Sequence, residues 1–272
     1  MNRTGLKNDR LKKKRPLIKN RSGKILTRIF SAVLLIIVIA ALFYIIPRFE
    51  KWYLDKKQPV EYEFDDKSPS YPTVIYTPGS IPEHTDKDHI ILNSDIPNFT
   101  EYDLSNISGE NYSDLDRLGR CGTAVCMLDS SMMPKEERGD IKNIKPSGYH
   151  SERYPDIIEN EFLFNRCHLI AYSLTGQNDN EKNLITGTDY MNTVSMLPFE
   201  LKVLNCLYNH PYHVLYRVTP FFKDNELVAR GIELEALSVE DNGMTLSFHV
   251  FIYNYQPGIE IDYRTGESRQ LK

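Results

Sequence analysis

An uncharged apolar run at residues 29–46, IFSAVLLIIVIAALFYII, divides this 272-residue chain into two unequal parts. As a helix rising 1.5 Å per residue it would cover about 27 Å, close to the ~30 Å hydrocarbon core of a membrane. Arg28 and Arg48 bracket the run, and Trp52 and Tyr53 follow it, where interfacial aromatic residues occur. We therefore predict a transmembrane helix. The alternatives are a signal peptide, for which the run is long and lacks an A-x-A-like cleavage site, and a core helix.

Charge is distributed unevenly around this run. Residues 1–28 hold eleven of the 33 basic residues and one of the 37 acidic residues, which leaves a net charge of about −14 for the rest. Because basic flanks stay on the cytoplasmic side, we expect a cytoplasmic N-terminus and an external C-terminal part at the cell membrane. The predicted organisation is a basic tail (1–28), a single transmembrane helix (29–46), a spacer (47–91) and a folded domain (92–272).

The pattern of apolar residues in the folded part predicts an α+β domain with a mainly antiparallel sheet. Residues 213–222, 227–239 and 244–254 are strand-like, and residues 122–129 form a short apolar run typical of a buried strand. The turn at residues 240–243 ends in Asn-Gly, a strong hairpin signal. Residues 198–208 have apolar side chains at helical spacing, with Pro198 at a tolerated first-turn position.

A histidine lies at the centre of the chemically most informative segment. Histidine titrates nearest neutral pH and can take a proton from water, whereas an asparagine oxygen is a hard ligand suited to Mg²⁺. The arginine fork matches a phosphate. This combination suits phosphodiester hydrolysis, and it is formed by Asn165-Arg166-Cys167-His168, Asn183, Asn192 and Glu200.

Residues 165–200, NRCHLIAYSLTGQNDNEKNLITGTDYMNTVSMLPFE, resemble the active-site region of the DNA/RNA non-specific endonucleases, and the type they resemble most is the membrane-anchored bacterial DNA-entry nuclease. The resemblance covers roughly residues 93–272. It implies a ββα-metal core, in which two strands deliver the histidine and a helix delivers the metal ligand. The family signature is Asp-Arg-Gly-His, and this chain departs from it at Asn165 and Cys167.

The resemblance also implies a role for each residue: His168 as general base, Arg166 as phosphate clamp, Asn183 orienting water or phosphate, Glu200 accepting from metal-bound water, and Asn192 as the Mg²⁺ ligand. Mn²⁺ is an expected substitute, DNA and RNA are the implied substrates, and the implied products carry 5′-phosphates. Structural alternatives remain open, because asparagine also caps helices and turns, and a carboxylate is favoured in a first helical turn anyway. Arg166 also suits a structural ion pair.

The four cysteines, Cys121, Cys126, Cys167 and Cys206, all belong to the predicted external domain. An oxidising exterior permits disulfides, and four cysteines allow three pairings, among which the sequence does not decide. A Cys167–His168 nucleophile is disfavoured, because neighbouring strand residues point to opposite faces.

These observations lead to the prediction of a membrane-anchored, metal-dependent endonuclease. Two alternatives are a catalytically degenerate module that binds nucleic acid at the cell surface, suggested by Asn165 and Cys167, and a nuclease toxin. An acidic body that binds phosphates must also concentrate its basic residues around one groove. The candidates for that groove are Arg138, Lys145, Arg153, Arg166, Lys182 and Lys202.

Overall fold

The computed structural model of the chain describes residues 73–74, 80, 82, 84 and 86–272, all within one unit, Phe64–Lys272. The predicted basic tail, the predicted transmembrane helix at 29–46 and most of the predicted spacer lie outside the described residues. In the part that is described, no helix has the length and apolar character needed to cross a membrane.

A seven-stranded sheet and two separate strand pairs form the scaffold of the described domain. The strands are β1 (Thr73–Val74), β2 (His89–Leu92), β3 (Gly109–Tyr112), β4 (Ala124–Leu128), β5 (Phe164–His168), β6 (Leu184–Thr188), β7 (Val214–Phe221), β8 (Gly231–Ser238), β9 (Ser247–Tyr253), β10 (Ile259–Ile261) and β11 (Ser268–Gln270). The strand order of the large sheet is β1-β2-β9-β8-β7-β4-β3, and its pairs are antiparallel except for the parallel pair of β1 with β2. The two separate pairs, β5–β6 and β10–β11, are also antiparallel.

Among the described residues, three α-helices and four shorter helical turns connect these strands. The α-helices are α1 (Glu101–Asn106), α2 (Tyr172–Thr175) and α3 (Leu197–Asn209). The turns are three 3₁₀ segments (Asn93–Asp95, Ser130–Met132 and Glu181–Asn183) and the π-helix Met191–Ser195. The order β5, β6, π-helix, α3 gives two antiparallel strands followed by a helix, as the resemblance implies for the ββα core.

Both faces of the sheet are buried, which explains why the apolar pattern of β9 lacks a clean alternation. One face packs against β5, β6 and α3 in the main core, where Val203 of α3 is fully buried. Each such fully buried aliphatic side chain stabilises the fold by about 1.5–3 kcal/mol. Residues of β9 divide between this core (Phe248, Val250, Ile252) and a smaller one on the opposite face (Phe251, Tyr253).

A charged network lies on the face of the sheet opposite the main core. The buried His249 ring on β9 donates from Nε2 to Glu233 Oε1 (2.6 Å) and from Nδ1 to the backbone oxygen of Ile96 (3.0 Å). Glu235 accepts from Arg217 Nε at 2.7 Å. Because both ring nitrogens face acceptors, this geometry holds an imidazolium. We call His249, Glu233, Glu235 and Arg217 the outer-face network; it fixes the segment after β2 to the sheet.

The strands and the hairpin predicted from the sequence are confirmed at β4, β7, β8, β9 and the turn before β9. In that turn Asn242 and Gly243 both adopt positive φ (55° and 83°), the conformation that an Asn-Gly hairpin turn requires. The helix predicted at residues 198–208 is α3, with Pro198 in its first turn. The sheet also extends to the N-terminal side of the boundary predicted at residue 92, since β2 begins at His89.

Candidate active site

A cavity of about 510 Å³ is lined by the end of β5, the π-helix and the first turn of α3. We call it the site cavity. Its lining includes four of the five residues predicted from the sequence: Arg166, His168, Asn192 and Glu200. Arg138, from the long connection between β4 and β5, lines the same cavity. The chain therefore brings residues that are up to 62 positions apart in sequence to one place.

His168 is the last residue of β5, and only 7% of its surface is exposed. Its Nε2 lies 2.9 Å from the backbone oxygen of Asn178, which can only accept, so Nε2 carries the hydrogen. Nδ1 is then the unprotonated nitrogen, and Arg138 Nη2 lies 3.3 Å from it. Burial lowers the pKa of His168 below its usual value, and the Arg138 charge lowers it further. The ring is thus held neutral, as a general base requires.

Asn192 projects from the π-helix that joins β6 to α3. This wide helical turn is fixed by hydrogen bonds from Met191 N to Thr188 Oγ1 (3.0 Å) and from Thr193 Oγ1 to the backbone oxygen of Asp189 (2.8 Å). Single-turn π-helices are rare and occur frequently at functional sites. The half-buried Asn192 side chain lines the site cavity beside His168.

Glu200 occupies the first turn of α3 and is half-buried in the wall of the site cavity. Burial raises the pKa of its carboxyl to about 7, although the positive charge of Arg138 acts in the opposite direction. A carboxyl with this pKa exchanges protons near neutral pH and accepts hydrogen bonds from water when ionised. Perturbed carboxyls of this kind are common at functional sites.

Arg138 is the site residue that sequence reasoning did not single out. The prediction placed it only among the basic residues expected around a groove. The structure sets its guanidinium against Nδ1 of His168, next to the position where a phosphate would meet the base. A lone arginine in a polar, aperiodic segment carries no spacing signal, so the sequence offers little that would have identified it.

Arg166 lines the site cavity, but its guanidinium is directed towards a neighbouring loop. It donates to the backbone oxygens of Ile144 (2.6 Å) and Lys142 (2.9 Å) and to the hydroxyl of Tyr149 (3.0 Å). It also lies 4.3 Å from the centre of the Tyr149 ring. In this arrangement Arg166 holds the loop against β5 through hydrogen bonds, and its role as a phosphate clamp stays a prediction.

Asn183 lies outside the site cavity and is fully buried, so the predicted role of orienting water or phosphate does not fit its position. Its Oδ1 accepts from Ile170 N at 2.8 Å, and its Nδ2 donates to the backbone oxygen of Ile170 at 2.9 Å. Both side-chain polar atoms are thus used to fix the backbone that follows His168. Asn183 therefore supports the segment after His168 from inside the fold.

Asn165 departs from the family signature, and its side chain is hydrogen-bonded to a nearby carboxylate. Its Nδ2 donates to Asp189 Oδ1 at 2.9 Å, and Asn160 donates to the same oxygen. Asp189 comes just before the π-helix, so this contact joins the start of the motif to the element that carries Asn192.

Cys167 is the second departure from the family signature. A glycine on the partner strand leaves space for its side chain. A Cβ on Gly187 would lie 2.6 Å from the Cβ of Cys167, closer than side chains approach, so Gly187 makes room for the thiol. Burial raises the pKa of the Cys167 thiol far above its usual value, which argues against a thiolate nucleophile. All four cysteines are buried free thiols, so none of the three disulfide pairings considered from the sequence is present.

The donors in the site cavity suit a hard divalent cation. Asn192 offers an amide oxygen and Glu200 offers carboxylate oxygens, and none of the cavity-lining side chains is a thiol. Mg²⁺ prefers oxygen ligands and takes few of them from protein, keeping several waters. The residues present therefore fit Mg²⁺ or Mn²⁺, with Asn192 and Glu200 as the side chains that would hold the ion and its waters.

Comparison with known proteins identifies the same family. The family model for the DNA/RNA non-specific endonucleases matches residues 100–240. A curated relative, a deoxyribonuclease of Streptococcus dysgalactiae subsp. equisimilis, is 34% identical over 112 residues; the match covers 39% of this chain and 33% of that protein's length.

Solved structures agree with the fold. NucA from Streptococcus agalactiae with magnesium bound is 29% identical, covers 66% of this chain and 86% of NucA, and superposes with a TM-score of 0.58. The structure of NucA without metal is 28% identical in sequence and superposes with a TM-score of 0.57. The Sda1 nuclease with bound zinc is 27% identical, the match covers 61% of this chain and 82% of Sda1, and the TM-score is 0.50. Since the family model spans more than half of the sequence, this chain belongs to the DNA/RNA non-specific endonuclease family.

Proposed function

We propose that the chain is a membrane-anchored endonuclease that uses Mg²⁺ to hydrolyse phosphodiester bonds of DNA and RNA. The observation that supports this most strongly is the state of His168. Its Nε2 hydrogen bond leaves Nδ1 as an unprotonated base, in the same cavity as an asparagine and a carboxyl of the kind that bind Mg²⁺.

In the proposed reaction, Nδ1 of His168 takes a proton from a water molecule that attacks phosphorus. The bond between phosphorus and the 3′-oxygen breaks, and that oxygen takes up a proton from solvent water, leaving a 5′-phosphate and a 3′-hydroxyl. Asn192 and Glu200 would hold Mg²⁺, which supplies positive charge for the phosphate and the leaving oxygen. The fixed tautomer of His168 and the hydrogen-bonded π-helix keep the base and the asparagine in place before substrate arrives.

Arg138 is the proposed phosphate-binding arginine. Its guanidinium lies at the cavity, 3.3 Å from the base nitrogen, and its side chain is exposed enough to reach a bound phosphate. Arg166 supports the site from the side, since its hydrogen bonds hold the loop at residues 142–149. The charged guanidinium of Arg138 would stabilise the negative charge that develops on the phosphoryl oxygens.

Membrane anchoring rests on the sequence. The uncharged run at residues 29–46 and the eleven basic residues before it support a single span with a cytoplasmic N-terminus. The proposed location of residues 92–272 is therefore the outer side of the cell membrane, where nucleic acid outside the cell is the substrate.

The proposed activity predicts metal-dependent cleavage of closed circular DNA. The full-length chain, purified in mild detergent, should nick supercoiled plasmid and degrade RNA with Mg²⁺ or Mn²⁺, because the donor set suits these ions. EDTA should stop both reactions, and excess Mg²⁺ should restore them; gel electrophoresis measures each.

Undiminished cleavage in EDTA would contradict the metal requirement. Retained binding of DNA without cleavage, with either cation, would identify a nucleic-acid-binding module in place of an enzyme.

A further inference from the structure

A second cavity, of about 740 Å³, adjoins the site cavity. Asn165 and Arg166 line both of them, so the two cavities meet at the strand that carries His168. A polymer whose phosphate lies at His168 could therefore place a neighbouring nucleotide in the second cavity. We call the second cavity the flanking cavity.

The flanking cavity is lined by basic residues, although the chain beyond residue 28 is acidic overall. Its lining includes Lys142, Lys145 and Arg166 and contains no aspartate or glutamate, and the carboxylate of Asp140 pairs with Lys142 Nζ at 3.2 Å from outside the lining. The chain beyond residue 28 nevertheless carries a net charge of about −14. A lining with bases and without acids in such a chain is the local concentration of positive charge that phosphate binding requires.

Aromatic side chains complete the lining, and Phe162 is the exposed one. Its exposure is 41%, whereas the next two residues, Leu163 and Phe164, are buried to 0% and 2% exposure. The guanidinium carbon of Arg153 lies 5.4 Å from the centre of the Phe162 ring. An apolar ring that covers nothing in the core and borders a basic cavity is suited to stacking on a planar partner.

The backbone before Phe162 is arranged to keep this ring outside. Glu161 adopts a φ of 71°, a left-handed conformation that is strained for a residue with a side chain. The turn is held by an ion pair between Arg153 and Glu161 and by a hydrogen bond from Phe162 N to Asn160 Oδ1 (3.0 Å). Backbone strain in a turn that is held by surrounding contacts is typical of functional positions.

We propose that the flanking cavity binds a nucleotide next to the scissile phosphate, with its base stacked on Phe162 and its phosphates facing Lys142 and Lys145. An aromatic ring can stack only on a base whose face is free, and the bases of a duplex already stack on each other. The site therefore favours unpaired strands over duplex of the same sequence. This inference rests on the proposed function, because it assigns one part of the substrate of that site.

The test measures binding separately from cleavage. The full-length His168→Ala chain is titrated with a labelled single-stranded oligonucleotide and with its duplex, and fluorescence anisotropy gives both dissociation constants. Adding Phe162→Ala should weaken single-strand binding about 5- to 150-fold, the range expected for the loss of one base–aromatic stack. The ratio of single-strand to duplex affinity should fall with it. Phe162→Tyr keeps an aromatic face and should retain the ratio.

Tyr208→Ala is the matched control, since Tyr208 is also an exposed aromatic residue (60%) but lines neither cavity. An unchanged ratio in Phe162→Ala, equal losses on both substrates, or no binding of single strands by the parent chain would overturn the proposal. Plasmid cleavage by the wild-type chain is scored independently. Its failure would remove the proposed catalytic function, while the stacking inference would still be decided by the binding ratio.

Discussion

His168, the proposed general base, is held between two partners that act differently on its protonation. The backbone oxygen of Asn178 fixes its tautomer, and the guanidinium of Arg138 disfavours its protonation. A general base needs both conditions, because the acceptor nitrogen must face the substrate and must remain unprotonated at the working pH.

Replacing the base gives the first prediction at this scale. His168→Ala should lower the initial rate of plasmid cleavage by roughly 10²–10⁴-fold, the usual effect of losing general-base catalysis. Asn192→Ala should cause a comparable loss, through weaker metal binding. Initial rates at saturating Mg²⁺, normalised to folded protein, measure both effects.

His210→Ala is the control for this prediction, since His210 stacks on Tyr212 in a loop and does not line the site cavity. Cys167→Ser should keep most of the activity. If Cys167→Ser were as inactive as His168→Ala, water attack would have to give way to a thiol mechanism.

Titration of the metal-free site gives the second prediction. Burial lowers the pKa of His168 and raises that of Glu200 to about 7, so on acidification Glu200 gains its proton before His168 does. Arg138 lowers both pKa values, and Arg138→Gln should therefore raise both. NMR titration of the histidine ring and of the ¹³C-labelled carboxyl measures the two shifts in one experiment.

Arg264→Gln, a change of an exposed arginine outside the site cavity, should leave both titrations in place. A downward movement of either pKa in Arg138→Gln would mean that the guanidinium does not lie where the structure places it.

Single residues differ in how well the sequence predicted their place. The sequence predicted that His168, Asn192 and Glu200 belong to one site, because their spacing is a recognisable pattern. The structure brings all three to one cavity. Asn183 belongs to the same pattern, yet it is a buried clamp on Ile170, a distinction that depends on burial and not on spacing. Arg138 had no pattern at all, since only the folded loop brings it to His168.

At the scale of elements, the sequence predicted the strands β4, β7, β8 and β9, which are apolar and bounded by polar turns, and the hairpin that turns on Asn-Gly. It did not predict the π-helix at Met191–Ser195, because a wide helical turn depends on tertiary hydrogen bonds such as that from Met191 to Thr188 Oγ1. Nor did it predict β3 or α1, whose residues are only partly buried and show no apolar period.

The outer-face network predicts a pH dependence of stability. Burial acts to lower the pKa of His249, but the hydrogen bond to Glu233 and the charge of Glu235 outweigh it, so the pKa is raised. A pKa above the unfolded value of about 6.5 means that the stabilisation is complete below that pH. The stabilisation is lost as the pH rises through the folded-state pKa of His249.

Melting temperatures across a pH series between about 6 and 9 test this prediction. The wild-type chain should lose stability on the alkaline side, and His249→Gln should flatten that slope because it keeps hydrogen bonding without the titrating charge. His210→Gln should follow the wild type. An identical slope in His249→Gln would show that another group causes the dependence.

The whole molecule combines an acidic body with basic cavities and, in our proposal, a membrane anchor. In the part of the chain that the structure describes, the two cavities gather basic side chains within an acidic body, so long-range attraction of nucleic acid should be weak and binding should be sensitive to salt. An anchor would offset this by keeping the enzyme where extracellular nucleic acid collects.

Topology is the prediction at this scale. Eleven basic residues precede residue 29, and they should keep the N-terminus in the cytoplasm. Protease added to intact cells should therefore remove the nuclease domain and leave a short basic stub, as immunoblotting with antibodies to each end would measure. A cytoplasmic protein must survive the same treatment. Protection of the domain until the cells are lysed would reverse the orientation and exclude an extracellular substrate.

The four buried thiols have a practical consequence for work on this protein. Burial raises the pKa of Cys121 and Cys206 to about 11 and that of Cys126 to about 12, so hardly any reactive thiolate is present at neutral pH. The fold needs no oxidant to form, and reducing agents have no bond in it to break. A single cysteine introduced on the surface would therefore be the sole rapidly labelled position, which makes the folded domain a ready background for site-specific dyes and spin labels.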